Sequence, residues 1–522
     1  MKILYINPTR IRAGLDFIIK GQPLNLMTLA AMVPEHDAKL IDYKVQDFDE
    51  NKLASELNRH DVVAITSMTP QIYSAFEIAD IAKKQDCPTI LGGYHPTLAS
   101  DHVIKHPSVD YVIRGEGEHT FRELIDFIND NKHKITLKDI DGLSYKDEKG
   151  KVIHNKDRKL EKNLDNFPLP RRDLIDDSKY VYLGVRVASL ESSRGCPHSC
   201  KFCCIHKMWS DPYSHLSYRS KSVKRIMKEI YDVNWKENDF IFFCEDNFTI
   251  NIKRTKRILD AIIKSRVNNK MYFSCQSRVD TLHRNPWLID LMHKAGMRQV
   301  FLGIESVHQQ SLNAMNKRGT TPIMTREVVE KLQDYGISIF GGVIIGFPGE
   351  TKKMVRQTIQ FTKSLNLTCV QFTPITAFPG TEFYDEMEAQ GKIASKNYRN
   401  YDLFQSMMDT DELSSKELYE LVVEAYSSYY FGKEWLLMVG KRYCNPFGKF
   451  NWMLSSIPRF VSEVIKNGFE MLRSQGISTS KISDELKAIT NKAKHIEQKT
   501  GQQYKIETHI PQYPTSKKES LS

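Results

Sequence analysis

Ser193-Arg194-Gly195-Cys196-Pro197-His198-Ser199-Cys200-Lys201-Phe202-Cys203-Cys204 is the stretch on which the reading of this chain turns. Three residues separate Cys196 from Cys200 and two separate Cys200 from Cys203. Three thiolates on one short loop can hold three irons of a [4Fe-4S] cluster, and the missing fourth cysteine leaves one iron open. Gly195 and Pro197 suit a loop that bends tightly. Adjacent side chains point apart, so Cys203 is expected to be the ligand and Cys204 to pack. A zinc site completed by His198 or His206 is the alternative.

The cysteine loop follows the first of six strand–helix repeats. Candidate strands are Ala188–Ser192, Phe240–Glu245, Met271–Gln276, Val300–Ile304, Ser338–Ile345 and Cys369–Thr373. They predict a (β/α)6 partial barrel over 181–400, with its chemistry at the C-terminal ends of the strands. Upstream, over 1–132, short apolar runs at Lys2–Ile6, Lys39–Tyr43, Val62–Ser67, Thr89–Gly92 and Tyr111–Ile113 alternate with helical spacing at Leu24–Met32, Leu53–Leu57, Tyr73–Lys84 and Thr120–Ile128. That rhythm predicts a doubly wound, Rossmann-like parallel sheet, so the chain as a whole is α/β. Residues 133–180 read as a linker with a small hairpin over Gly142–His154. Residues 401–498 read as helical, with one helix over Glu412–Tyr430, and 499–522 as a polar tail.

The composition is that of a folded protein: of 522 residues, 41% are hydrophobic and 26% charged. The net charge of +10 is spread along the chain and does not call for nucleic acid, though it permits an anionic partner or membrane surface. No apolar run reaches 18 residues, which argues against a transmembrane helix. The opening Met-Lys-Ile-Leu-Tyr-Ile-Asn-Pro-Thr does not read as a signal peptide. Four of nine cysteines cluster between Cys196 and Cys204, the usage of a reducing, cytoplasmic protein with metal or redox chemistry.

The cysteine spacing, with Phe202 before the last cysteine and the motif placed after the first barrel strand, resembles the radical S-adenosylmethionine (SAM) enzymes. The later strand ends sharpen the likeness: Phe243-Cys244-Glu245-Asp246-Asn247-Phe248, Ser274-Cys275-Gln276-Ser277-Arg278-Val279-Asp280, Phe301-Leu302-Gly303-Ile304-Glu305-Ser306 and Gly341-Gly342-Val343-Ile344-Ile345-Gly346-Phe347-Pro348-Gly349-Glu350. The resemblance implies a SAM molecule chelating the open iron of a cluster held by Cys196, Cys200 and Cys203, and an electron donor such as ferredoxin or flavodoxin. Arg278 can then hold the SAM carboxylate as a fork. Glu305 and Ser306 can bind ribose hydroxyls or the amino group, and Glu245 either. Glycines including Gly346 would let backbone approach the cofactor. A structural ion pair between Glu305 and Arg278 is the plainer alternative.

Three strand ends of the first region are rich in glycine or hydroxyl groups: Ser67 and Thr69 in Thr66-Ser67-Met68-Thr69; Gly92, Gly93, Tyr94 and His95 in Gly92-Gly93-Tyr94-His95-Pro96-Thr97; and Gly115, Glu116, Gly117 and Glu118 in Arg114-Gly115-Glu116-Gly117-Glu118-His119. No G-x-G-x-x-G follows the first strand, which disfavours a dinucleotide. A purely structural α/β domain is the alternative. Together with the barrel, these loops resemble the cobalamin-binding domain of cobalamin-dependent radical SAM proteins. The D-x-H-x-x-G stretch of other cobalamin proteins is absent, since Ile6-Asn7-Pro8-Thr9 stands after the first strand. The resemblance therefore implies base-off cobalamin with no histidine on cobalt. His95 is the competing candidate ligand, expected rather to line the corrin or the turn.

What the resemblance implies is abstraction of hydrogen from an unreactive carbon by a 5′-deoxyadenosyl radical, then methyl transfer from methylcobalamin, with a second SAM restoring the methyl group. Radical ring formation on a lipid or tetrapyrrole uses the same cofactors, and a non-catalytic cobalamin or cluster sensor is the alternative from another class. Aromatics from Trp435 to Phe469 interleave with cations from Lys433 to Arg473. An apolar face with a basic rim suits an anionic bilayer surface, which points to a hydrophobic, lipid-like substrate and peripheral membrane contact. Ordinary helix packing with a solvated basic face is the plainer reading.

Overall fold

The structure, a computed structural model, describes residues 1–9, 20–129, 135–182, 185–214 and 216–430, with 432, 434, 435, 437 and 438. Its first sheet contains β1 (Lys2–Asn7), β2 (Asp37–Asp42), β3 (Val62–Thr66), β4 (Thr89–Gly92) and β5 (Tyr111–Ile113), parallel and in the order β2-β1-β3-β4-β5. Strands covered on both faces need apolar residues at every position, and Ile3, Leu4, Tyr5 and Ile6 are all fully buried. The pleat deals them alternately to two cores. Leu4 and Ile6 join the helices Glu50–Leu57 and Ile72–Lys84, while Ile3 and Tyr5 join Leu24–Met32 and Glu118–Asn129.

The hairpin read as part of a linker belongs to this sheet. Its strands β6 (Leu143–Lys146) and β7 (Val152–His154) add antiparallel to β5. They cover hydrogen-bonding groups that β5 would otherwise leave as a bare edge. The strand order reverses between β1 and β3, and doubly wound sheets bind ligands beyond the carboxyl ends of the strands at such a point.

The second sheet is built from β8 (Val181–Tyr182), β9 (Val185–Leu190), β12 (Phe240–Phe243), β13 (Tyr272–Arg278), β14 (Met297–Glu305), β15 (Ser338–Ile345) and β16 (Cys369–Pro374). Between β9 and β12 in the chain, β10 (Ser193–Gly195) and β11 (Tyr218–Ser220) form a separate antiparallel pair. Six strands run parallel from β9 to β16, and β8 adds antiparallel to β9. β8 and β16 do not pair, so the barrel is open.

The helix read over Glu412–Tyr430 spans Ser415–Tyr430 and packs on β16. The Tyr430 hydroxyl accepts from the Val370 N–H at 2.8 Å and donates to the Val370 carbonyl at 2.7 Å. Tyr429 and Trp435 donate to the carbonyls of Leu367 and Thr368, at 2.8 and 3.2 Å. The exposed edge of β16 is thus satisfied by side chains instead of another strand. Trp435 packs here as a core residue; the aromatic and basic positions from 439 onward lie outside the described residues. Among the described residues no helix is long and apolar enough to cross a membrane.

A single turn at Tyr398–Asn400 returns to the first sheet. The Tyr398 ring meets those of His95 and His102, with centroids 4.6 and 5.1 Å apart. Arg399 pairs with Glu77 at 3.2 Å and stacks over Tyr73. On the other side of the junction, the Tyr180 hydroxyl donates to Asp42 at 3.0 Å.

Candidate functional site

The cysteine loop leaves the barrel at β9 and is fixed at both ends. Gly195 has φ +81, a left-handed backbone that L side chains rarely adopt, and an added Cβ would strike the Ser217 carbonyl just before the facing strand. Farther along, the Cys203 N–H bonds the Cys200 carbonyl at 3.0 Å, and Lys201 bonds Met315 through its N–H and Glu386 through its ammonium. Phe202 packs against Phe347.

Cys196, Cys200, Cys203 and Cys204 are all partly buried. Burial pushes the thiols of Cys196, Cys200 and Cys203 up, while Lys317 and Arg278 draw Cys200 the other way. Burial, then the Asp246 carboxylate, pushes Cys204 up to about 12. No three His, Cys, Asp or Glu side chains among the described residues converge as a single metal ion requires. The cysteines are spaced along the loop, as a donor set for a multi-iron cluster can be.

The ends of β13 and β14 face this loop. Arg278 donates to Asp280 at 2.9 Å and to the Arg318 carbonyl at 2.9 Å. Glu305 sits at φ +63 where the β14–β15 register shifts, and its carboxylate pairs with Lys317 at 2.6 Å. The structural pair weighed between Glu305 and Arg278 is therefore replaced by two others, with Lys317 and Asp280 as the partners the sequence did not mark. Ser306 donates to Glu350 at 2.7 Å, and the other Glu350 oxygen accepts from the N–H groups of Gly346 and Phe347. Glu350 is fully buried and ties the ends of β14 and β15 together.

Two expectations at these strand ends are corrected. Glu245 was expected to bind SAM, but its two carboxylate oxygens accept from the Ser192 hydroxyl and the Ser192 N–H. It is buried beneath the loop, where it anchors the end of β9. Gly346 was expected to admit a cofactor. It has φ +80, and the space before it is filled by Leu418 of the Ser415–Tyr430 helix.

The first sheet's loops are also rearranged relative to expectation. Ser67 and Thr69 are buried, and the short turn Thr69–Gln71 leaves Met68 between them as the exposed side chain, 46% accessible. The Ser67 hydroxyl donates to the Met68 carbonyl. Of the two places expected for His95, beside the corrin or in the turn, it takes the turn: it is fully buried, its Nδ1 lies 3.3 Å from Thr69 Oγ1 and its Nε2 3.3 Å from His102 Nδ1. Burial and His102 lower its pKa to about 3. A ring with both nitrogens engaged inside the protein does not line a corrin.

Gly92 ends β4, and Gly93 lies against Thr66 and Ser67. Gly117 faces Ile113, while nothing lies within 4 Å of a Cβ placed on Gly115. The carboxylates of Glu116 and Glu118 turn away from that open space to Arg194 of the cysteine hairpin, at 2.7 and 2.6 Å. Tyr94 reaches the surroundings of Cys203, Cys204, Asp246 and Trp209. Asp246 lies among these groups, and desolvation, with Glu245 and Glu191 nearby, pushes its carboxyl up to about 7. The carboxyl ends of the two sheets therefore meet, with the loops of one against the cysteine loop of the other.

A family model described as the radical SAM superfamily matches residues 190–362, and one described as the B12 binding domain matches residues 19–125. An uncharacterized methyltransferase of Pyrococcus horikoshii is 34% identical over 441 residues, covering 82% of this chain and 92% of that protein. The chain belongs to the cobalamin-binding radical SAM family. The anaerobic magnesium-protoporphyrin IX monomethyl ester cyclase of Rubrivivax gelatinosus is 27% identical over 482 residues, covering 90% of this chain and 83% of that one. Among solved structures, the cobalamin-dependent SAM radical enzyme OxsB, with aqua-cobalamin and SAM bound, has a TM-score of 0.67 at 18% identity, covering 91% of this chain and 75% of that one. The protein is a radical SAM enzyme of the methyltransferase and cyclase group, and its cofactors are a [4Fe-4S] cluster, SAM and cobalamin.

Proposed function

We propose that this enzyme activates an unreactive C–H bond of a hydrophobic, lipid-like substrate and places a methyl group on that carbon. The observation that carries the reading is the meeting of the two sets of strand ends, with Tyr94 of the first sheet set against Cys203 and Cys204 of the second. When bound, the cluster and SAM supply a hydrogen-abstracting radical, and cobalamin a transferable methyl group.

Cys196, Cys200 and Cys203 hold the cluster. Arg278 and Lys317, which act electrostatically on Cys200, and the Glu305 carboxylate are the groups placed to receive the amino acid end and ribose of SAM. Cobalamin would be held beyond β1, β3 and β5, where Met68 is exposed and the face of Gly115 is open. No histidine would sit on its cobalt, because no D-x-H-x-x-G follows β1 and the nitrogens of His95 are engaged by Thr69 and His102; a displaced base is what the family resemblance implies.

Methyl transfer is favoured by the methyltransferase that is 34% identical. The second reading, radical ring formation, is favoured by the cyclase relative, which aligns with 90% of this chain. The hydrophobic substrate and peripheral membrane contact rest on the aromatic and basic sequence positions of 441–473, Trp435 being a core residue; a flavodoxin or ferredoxin is the electron source, and no nucleic acid takes part. Reduced enzyme is given methyl-labelled SAM with lipid and tetrapyrrole extracts. Label in a lipid, with S-adenosylhomocysteine and 5′-deoxyadenosine formed together, supports methylation. 5′-Deoxyadenosine with an unlabelled product lighter by hydrogen atoms overturns it in favour of ring formation.

A further inference from the structure

The hairpin that launches the cysteine loop has an electrostatic fault of its own. In the β10–β11 register Arg194 stands directly opposite Arg219. Like charges paired across two strands are destabilising, and both side chains are almost wholly buried, 8% and 2% exposed. The fault is repaired from the other sheet. Glu116 lies between the two guanidinium groups, 2.7 Å from Arg194 Nη1 and 2.9 Å from Arg219 Nη1, and Glu118 takes Arg194 Nη2 at 2.6 Å. The third nitrogen of Arg194 donates to Glu191 at 2.8 Å, and the rings of Phe167 and Trp209 flank the guanidinium at 5.0 and 5.2 Å.

Glu116 belongs to the loop after β5 and Glu118 opens the helix that follows it, one and three residues past Gly115, whose face is open. Arg194 is two residues before Cys196. One buried ion network therefore joins the loop beside the corrin space to the root of the cysteine loop. Removing one member of a buried pair leaves a charge without compensation, which is strongly unfavourable. The two loops are consequently held in place together or released together.

We propose that Glu116, Glu118 and Arg194 link the cobalamin site to the cluster site, so that loading either one tightens the other. They are positioning residues, their charged groups engaged with one another. A ligand held against the loop after β5 favours the arrangement in which both carboxylates offset the repulsion in the cysteine hairpin. A cluster held by the hairpin favours the same arrangement from the side of Arg194. Linkage of this kind is reciprocal and commonly amounts to roughly 5- to 150-fold in affinity.

The test uses the full chain under anaerobic conditions, with hydroxocobalamin as the probe. Its affinity is measured with and without the reconstituted cluster, and cluster loss to a chelator is timed with and without cobalamin. The wild type should bind hydroxocobalamin roughly 5- to 150-fold more tightly when the cluster is present, and cobalamin should slow cluster loss. Glu116→Gln should bring the ratio of the two affinities close to one, and Arg194→Lys, which keeps the charge and loses the fork, should give an intermediate ratio. Equal wild-type affinity with and without cluster would overturn the proposal, and needs no variant to fold. So would a Glu116→Gln chain in which both affinities fall while their ratio stays. The inference rests on the proposed placement of the cofactors; full cluster uptake by Cys200→Ala would remove that placement while leaving the measured linkage to stand on its own.

Discussion

Replacing Gly346 by Ala tests whether that glycine serves a cofactor or the packing of the helix Ser415–Tyr430. Its φ of +80 is left-handed, and holding an L-residue there costs roughly 1–2 kcal/mol. The new methyl would overlap Leu418 Cδ2 and lie 3.3 Å from its Cγ and 3.5 Å from its Cδ1. Leu418 is fully buried and cannot swing into solvent, so overpacking adds roughly 1–3 kcal/mol. The total is about 2–5 kcal/mol. Every Leu418 atom in the clash is absent from Leu418→Ala, which by itself loses about 2–5 kcal/mol as a buried leucine truncation. In the double variant only the backbone strain of an alanine at position 346 remains, so the two changes should couple by roughly 1–3 kcal/mol. The measurement is urea unfolding of the four chains of this cycle without cofactors. Additivity within about 0.5 kcal/mol would refute the packing role. Unchanged stability of Gly346→Ala, together with weakened SAM binding, would restore the cofactor role.

Three further outcomes are expected. Alanine at Cys196, Cys200 or Cys203 should abolish cluster retention and SAM cleavage, whereas Cys204→Ala should keep both; stoichiometric zinc in an inactive, anaerobically purified protein would contradict this. His95, with a folded pKa of about 3 against an ordinary 6.5, is neutral in the folded chain, so the unfolded chain binds more protons below 6.5. Stability should therefore drop as pH falls from about 6.5 towards 3, by at most about 1.4 kcal/mol per pH unit from this group, and His95→Gln should flatten that slope. The paramagnetic resonance of the cob(II)alamin form should show no axial nitrogen coupling, in the wild type and in His95→Ala alike; coupling lost in the variant would reverse the assignment.

Much of the architecture is written locally. β4, β5, β15 and the helix Leu24–Met32 have the bounds that their apolar runs and helical spacing predict, because strands and helices buried on most sides leave few polar positions to blur an end. The site was legible in its types more than in its partners. Arg194 lies inside the most informative motif, yet its role depends on Glu116 and Glu118, 78 and 76 positions away, and only the meeting of the two sheets brings them together. Lys317 follows a short helix with no pattern to mark it, although it pairs with Glu305. Glu245 and Gly346 resembled cofactor contacts because a buried anchor and a packing glycine look the same in one dimension as a carboxylate or an opening beside a ligand. Met68 did carry a signal: it is the apolar residue between two hydroxyl residues at a strand end, and the turn that follows buries its neighbours.

The turn at Tyr398–Asn400 ties the order of synthesis to the completeness of the first domain. Arg399 and its partner Glu77 are 322 positions apart. At about 5–20 residues per second, a ribosome needs roughly 15–65 seconds to make the chain between them. For most of that interval His95 and His102 have been made but lack the ring of Tyr398 that covers them. The first domain emerges early and is finished late, after the whole barrel has been translated.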